Sequence, residues 1–412
     1  MVVLILAPQA LKAYGPTVVN TTTNTAIKWS MPMTYQREGS LTVNGFNTEP
    51  FLTNAVSAWQ GADGSDVVMS ATTLKDTNNA DVSDVTGDTV CSYLYDASIC
   101  PNGPTGDGQN PIVLDADGSI VAKFFGEANR AKTLGFAGIV RFSTSNNSVA
   151  KGEGVFNVVC LDGAKSSACP SGTTISQDDL EAIITHELGH FLGCNHSQVN
   201  LTEATDDDAS NNQYITTMYS FLVSGSGVFI KTLERDDEIC VANLYPSSGF
   251  SSGICRLEGT VFDQNGKEMQ CANVIARNTK SDQSKTDAIS YLSGQLSAAG
   301  TLDGDFVIIG LKPGETYSLE VEAIYPKIIG SSGIKPCDSS PAGYPSGSAF
   351  PPTFDNYKHA ATFACAKGGD SQTAINITLA NVNANPGTGT ANPTNGGGGD
   401  SSSNSGGCSL IP

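Results

Sequence analysis

The chain has 412 residues, of which 41 are acidic and 22 basic, giving a formal net charge of −19. Nucleic acid and anionic membrane surfaces are bound mainly through Lys and Arg, so this balance argues against both as partners. Eleven cysteines with only 15% charged residues fit a secreted, disulfide-bonded protein, and the length suits two or three domains with cores of their own.

In chain order, Val2 to Leu6 are apolar and Leu11-Lys12-Ala13 could precede a cleavage point, so residues 1–24 read as a leader or signal-peptide remnant. No stretch reaches the ~18 apolar residues that span a bilayer. Residues 25–246 mix helices and strands. Thr48 to Gln60 has a capping Thr, an early Pro50 and apolar Phe51, Ala55, Ala58 and Trp59, the pattern of an amphipathic helix. Gly135 to Ser143 and Gly154 to Leu161 are rich in β-branched and aromatic residues and predict strands. A second helix is predicted from Ser176, where Ser176 to Asp179 has capping-box spacing, and a third over Leu233 to Leu244, with Asp236, Asp237 and Glu238 near its positive end.

A Ser/Gly linker at 247–253 leads into a strand-rich unit, 254–380. Predicted strands are Gly259 onward, ending in the Asn265-Gly266 turn, then Ala272 to Ala276, Phe306 to Leu311, Tyr317 to Ala323 and a closing Asn376 to Leu379. This is a small β-sandwich pattern. Residues 325–367 show little periodicity and read as an insertion. From 381 to 412 the chain is Gly, Ser, Asn and Pro, which cannot bury enough apolar surface to fold, and is expected to be a disordered stalk ending near Cys408.

Three of the four histidines lie within eleven residues, His186-Glu187-Leu188-Gly189-His190-Phe191-Leu192-Gly193-Cys194-Asn195-His196. On a helix, positions i and i+4 share a face, so His186 and His190 can aim at one ion. A continued helix would carry His196 on the order of 9 Å further along the axis, too far for ligand bonds of ~2.1 Å. Gly193 can stop the helix by taking the left-handed conformation, which turns His196 back toward the pair. Three neutral His ligands leave a fourth position of a zinc ion open for water, and Glu187 is placed to act as general base. A satisfied core histidine would explain one of the three, not the set.

The H-E-x-x-H-x-x-G-x-x-H pattern resembles the metzincin zinc endopeptidases, whose second mark is a Met-turn beneath the metal. Met218, in Thr216-Thr217-Met218-Tyr219-Ser220, is the matching methionine. Ser197 after the third His, and Ser220 rather than a Tyr two places after Met218, resemble the matrixin branch; Leu233 to Tyr245 is similar to its C-terminal helix. The resemblance implies an α+β catalytic domain of a twisted sheet plus three helices, Zn²⁺ as cofactor, and a protein or peptide substrate. It also implies that Leu134, Gly135, Phe136 and Ala137 form the edge strand on which substrate lies, and that Tyr219, Ser220 and Phe221 border the pocket after the scissile bond. Asp115 and Asp117 could bind Ca²⁺, as oxygen-rich loops do in this family, though a D-x-D-G turn is as often simply solvated. Asp206-Asp207-Asp208 reads as solvated charge. No cysteine precedes Cys91 in this sequence, so the family's Pro-Arg-Cys-Gly latency segment ahead of the catalytic domain, and its thiol switch on zinc, are not expected from it. A gluzincin would need a distal Glu in place of His196, and a pure adhesin on this scaffold would have no use for Glu187.

By sequence proximity the expected disulfides are Cys91–Cys100, Cys160–Cys169, Cys255–Cys271 and Cys337–Cys365, with Cys194 either paired to Cys240 or free. Cys408 is left over. The β-unit resembles transthyretin-like or carboxypeptidase-regulatory-like modules in Gly259-Thr260-Val261 and Gly310-Leu311-Lys312-Pro313-Gly314; this implies a spacing or attachment role, with His359 a surface residue. The Gly-Gly-Cys ending resembles bacterial C-terminal sorting tails in which a Cys precedes an apolar helix, a helix this sequence does not show; the resemblance implies a secreted protein with an anchoring point, for cell-surface attachment, or a processing point at Cys408.

Overall fold

The computed structural model describes residues 15–20, 22–206, 208–223, 225–295, 302–329, 337, 350–382 and 406–410, the last as backbone alone. Most of the leader (1–14) and of the stalk (383–405, 411–412) lies outside these residues. The fold is mixed α/β and largely β.

The main sheet is built from β1 (Met33–Arg37), β2 (Met69–Thr73), β3 (Pro111–Asp115), β4 (Thr133–Ser143), β5 (Ser148–Asn157) and β6 (Phe221–Leu222). Strands β2, β1, β3 and β5 run parallel in that order, and β4 joins β5 antiparallel. β5 starts at Ser148 and ends at Asn157, so Val158 to Leu161, expected as strand, are instead a buried turn in which Leu161 N–H donates to Val158. The parallel strands β1, β2 and β3 escaped the sequence reading because runs as short as PIVLD, buried throughout in β3, carry no alternation.

Helix α1 (Glu49–Gln60) buries Leu52, Ala55, Val56 and Trp59 and packs on α3 (Gln177–Leu192). Its flanking Thr48 does not cap it: the hydroxyl donates to Leu41 O at 2.8 Å. Helix α2 (Ser119–Phe125) follows β3. For α3, Ser176 and Asp179 form a reciprocal capping box. Helix α4 (Arg235–Leu244) opens with three acids in its first turn.

The strand-rich part contains β7 (Cys255–Phe262), β8 (Ala272–Asn278), β9 (Ala288–Leu292), β10 (Asp305–Leu311), β11 (Thr316–Ala323), β12 (Tyr357–Ala364) and β13 (Ser371–Thr378). They make two sheets, β10-β7-β13 and β9-β8-β11-β12. Val261 and Ile308 from the first and Val274, Leu319 and Val321 from the second share one buried cluster, so the sheets face each other across a core. Ile239 and Ala242 of α4 and Phe250 join that cluster. The 247–253 segment is therefore packed: its Phe250 ring fills the space beside Gly64. Strand β12 falls inside the expected insertion. Its pattern is weak because it is an edge strand with mostly exposed side chains, and His359 stacks on Phe363 with ring centroids 5.5 Å apart.

Five disulfides form. Cys91–Cys100, Cys160–Cys169 and Cys194–Cys240 pair as sequence proximity or the shared unit suggested. The other two do not: the bridges are Cys255–Cys365 and Cys271–Cys337, not Cys255–Cys271 and Cys337–Cys365. Parallel pairing of β7 with β13 brings Cys255 beside the turn that precedes β13, where Arg256 N–H donates to Asp370 O. Long-range sheet register decided these partners, which proximity in sequence could not supply.

A last strand, β14 (Gly406–Leu410), lies in the main sheet between β4 and β6. The stalk expectation fails for these residues, because an open sheet edge offers N–H and C=O groups that pair with any extended segment in reach.

Candidate metal centre

Helix α3 is buried from Ala182 to Leu192, so its last two turns are part of the core. Its C-terminal carbonyls are satisfied from outside the helix: Trp29 Nε1 donates to Phe191 O (2.7 Å) and the Tyr245 hydroxyl to Leu192 O (2.6 Å). Gly193 ends it at φ +101°, and Cys194 N–H returns to Gly189 O at 2.8 Å. The chain then reverses, held by the Cys194–Cys240 bridge to α4 and by Thr17 N–H on Gly193 O. This reversal places His196 against the first two histidines.

His186, His190 and His196 are all buried, and their potential ligand nitrogens lie within 4.8 Å of one another. Tetrahedral zinc ligands at ~2.1 Å sit roughly 3.4 Å apart, and His190 Nε2 and His196 Nε2 are separated by 3.0 Å. His186 Nδ1 faces Thr217 O at 2.7 Å and His190 Nδ1 faces Cys194 O at 2.8 Å. Each carbonyl can only accept, which assigns the ring proton to Nδ1 and leaves the Nε2 lone pair free for a metal. His186 Nε2 is buried without a hydrogen-bond partner. Burial lowers the pKa of His186 to about 4 and holds that of His190 well below the usual range, so both rings are neutral near pH 7. The donor set fits a divalent transition metal: the cluster can hold a metal ion, and it is the one such group of His, Cys, Asp or Glu among the described residues.

Glu187 is fully buried between the two helical histidines, and a Cβ built on Gly135 of β4 would lie 3.1 Å from its Cγ. Leu134, Gly135, Phe136 and Ala137 form the part of β4 that passes over the helix and pairs with β14. Below the triad, Met218 is buried and fills the space beside Gly189, while Ser197 N–H donates to Met218 O at 2.8 Å. Tyr219 and Ser220 are buried behind it; Tyr219 meets Phe221 edge-on at 5.9 Å, and Phe221 lies in β6. Asp115 and Asp117 are elsewhere. Asp115 is buried and accepts the Ile120 and Val121 N–H groups of α2, Asp117 accepts that of Ser119, and burial raises Asp115 to about 6.

Two residues read only as helix-dipole partners turn out to organise the site. Asp237 accepts the Thr217, Met218 and Glu234 N–H groups, and burial, reinforced by neighbouring Asp236, holds its pKa well above the usual carboxylate range. Asp236 accepts the Ser197 hydroxyl and both the N–H and hydroxyl of Ser290 in β9. The segment after the third histidine is thus tied to the strand-rich part, and Gln198 adds bonds to Ala323 O and Tyr325 N–H. The clustered acids were the only sequence signal, and they look the same as ordinary helix-capping charge.

No family model matches the chain, and no curated protein matches it. Among solved structures, wild-type catechol 1,2-dioxygenase of Acinetobacter radioresistens is similar at 12% identity over 32% of this chain, with a TM-score of 0.16. This chain spans 54% of that dioxygenase chain, and so low a score carries no argument about fold or chemistry.

Proposed function

We propose that this protein is a secreted zinc-dependent endopeptidase of the metzincin type, closest in its motif to the matrixins. The observation that carries the reading is the convergence of the His186, His190 and His196 rings beside a buried Glu187, against β4, the strand that pairs with β14. A metal held by these rings would supply Lewis acidity, lowering the pKa of water and polarising a carbonyl. Glu187 then has two tasks: it accepts the proton of the attacking water and returns it to the leaving amine. In this reading an extended peptide would pair with the side of Leu134 to Ala137 that β14 takes in the structure, which would hold the scissile bond over Glu187. Met218 and Asp237 hold the floor, and hydrogen bonds at Nδ1 fix the ring orientations of His186 and His190. Five disulfides, and the lack of any helix among the described residues long and apolar enough to cross a membrane, are compatible with an extracellular setting.

The test is cleavage of a denatured-protein and peptide library by metal-loaded protein, with and without a chelator, beside Glu187→Ala. Cleavage that the chelator abolishes and that the variant loses by about 10²–10⁴-fold, with metal content unchanged, supports the reading. Equal cleavage by the variant refutes it, as does none by protein whose cleft is open to peptide.

A further inference from the structure

Strand β14 occupies the place that the proposed function assigns to substrate. Gly406 pairs with Ala137, Gly407 with Phe136, Cys408 with Gly135 and Ser409 with Thr133, all antiparallel, while Ser409 and Leu410 pair in parallel with Phe221 and Leu222. The segment is therefore held along both backbone edges, between β4 and the stretch that follows Met218. Gly135 is also the residue that abuts Glu187 Cγ, and β14 packs against α3, the helix that carries His186, Glu187 and His190. A strand in this register crosses over the reacting centre.

We propose that residues 406–410 act as an intramolecular occupant of the peptide cleft, a self-docking strand that competes with substrate for the edge of β4 and must leave before substrate can bind. The 23 residues between Val382 and Gly406 span up to about 80 Å when extended, a generous tether for intramolecular docking. Tethering within one chain raises the effective concentration toward the mM range, so a few backbone hydrogen bonds with weak intrinsic affinity are enough to fill the cleft. Gly406 and Gly407 lack the side chains that would anchor a tight ligand, which suits an occupant that can be displaced.

The inference rests on the endopeptidase reading for its consequence but not for its detection. Cys408 is the one cysteine outside the five disulfides, so its alkylation rate in the full-length protein reports docking without any appeal to catalysis. Gly407→Pro removes a backbone donor and fixes φ within β14 while leaving the rest of the chain untouched. We expect Cys408 to react about tenfold or more slowly in the wild type than in Gly407→Pro, at every protein concentration tested, as an intramolecular contact requires. Gly407→Pro should also cleave an added peptide with lower KM at equal kcat, and a synthetic peptide of residues 404–412 should raise that KM again. Alkylation equally fast in both proteins overturns the proposal, as does protection that disappears on dilution. Protection in the wild type with no hydrolysis by either protein would uphold the docking and sink the endopeptidase reading, whereas hydrolysis without protection would do the reverse.

Discussion

Met218 occupies the space that a side chain at position 189 would need: a Cβ built on Gly189 overlaps the Met218 sulfur and comes within 2.7 Å of the Trp59 ring. Gly189 lies on α3 between His186 and His190, so the methionine presses directly against the backbone that spaces two ligands. Sequence spacing alone would treat Gly189 as an interchangeable member of the zinc motif. The packing shows why no other residue fits.

Gly189→Ala is therefore expected to overpack the floor, costing about 1–3 kcal/mol of stability and shifting the two histidine rings apart. Thermal unfolding with and without zinc would show both effects: a lower Tm for the metal-free variant, and a smaller rise on adding metal than in the wild type. An unchanged rise would mean that the floor does not position the ligands.

A second prediction concerns Asp237. Replacing it with Ala strands two buried N–H donors, those of Thr217 and Met218, at roughly 1–3 kcal/mol for each one left unsatisfied, and removes the partner of the half-buried Glu234 N–H. The Thr217 carbonyl that orients His186 belongs to the same turn. The variant should unfold at markedly lower denaturant and bind zinc more weakly; Asp237→Asn, which keeps one acceptor oxygen, should fall between. Equal metal affinity in all three proteins would separate the turn from the site.

Much of the centre was legible in the sequence because it is local. His186, Glu187, His190, Gly193 and His196 lie in one helix and its stop, and the need to reverse the chain follows from helical rise. The dependence of that reversal on Trp29, Tyr245 and Cys240 was not legible, since these are brought in from 163 residues before to 53 residues after Leu192 by tertiary packing. The same holds in the strand-rich part, where alternation announced Tyr317 to Ala323 but gave no register. Without register, the disulfide partners could not be assigned.

Disulfide mapping is accordingly a sharp test of the strand-rich part. Peptide mass spectrometry under non-reducing conditions should recover Cys255 linked to Cys365 and Cys271 linked to Cys337, with no Cys255–Cys271 peptide. Cys271→Ser with Cys337→Ser should lower stability by about 2–4 kcal/mol, through an unfolded chain freed of a long closed loop. A Cys255–Cys271 peptide would mean that β7 and β13 do not pair in the register described.

The pH dependence of stability follows from Glu38, a buried carboxylate at the end of β1. Its two oxygens accept the Val85 and Leu114 N–H groups at 2.7 and 2.8 Å, yet burial outweighs these bonds and pushes its pKa up to about 7. Between the ordinary glutamate range near 4.5 and pH 7, the folded protein keeps a proton that the unfolded chain has released. Stability from this group is therefore full at about pH 4.5, declines as pH rises toward 7, and is flat beyond, a loss on the order of 1–3 kcal/mol. Asp115, raised to about 6 for the same reason, adds a decline over a lower and narrower window. Denaturant titrations of the metal-free protein between pH 4.5 and 8 should show this fall. Glu38→Gln should have lower stability at pH 4.5 but a shallower slope, because the group that titrates is gone while its two N–H donors are left with a single oxygen. A slope identical to the wild type would show that Glu38 is ionised throughout the range, and that its two hydrogen bonds rather than its burial set its charge.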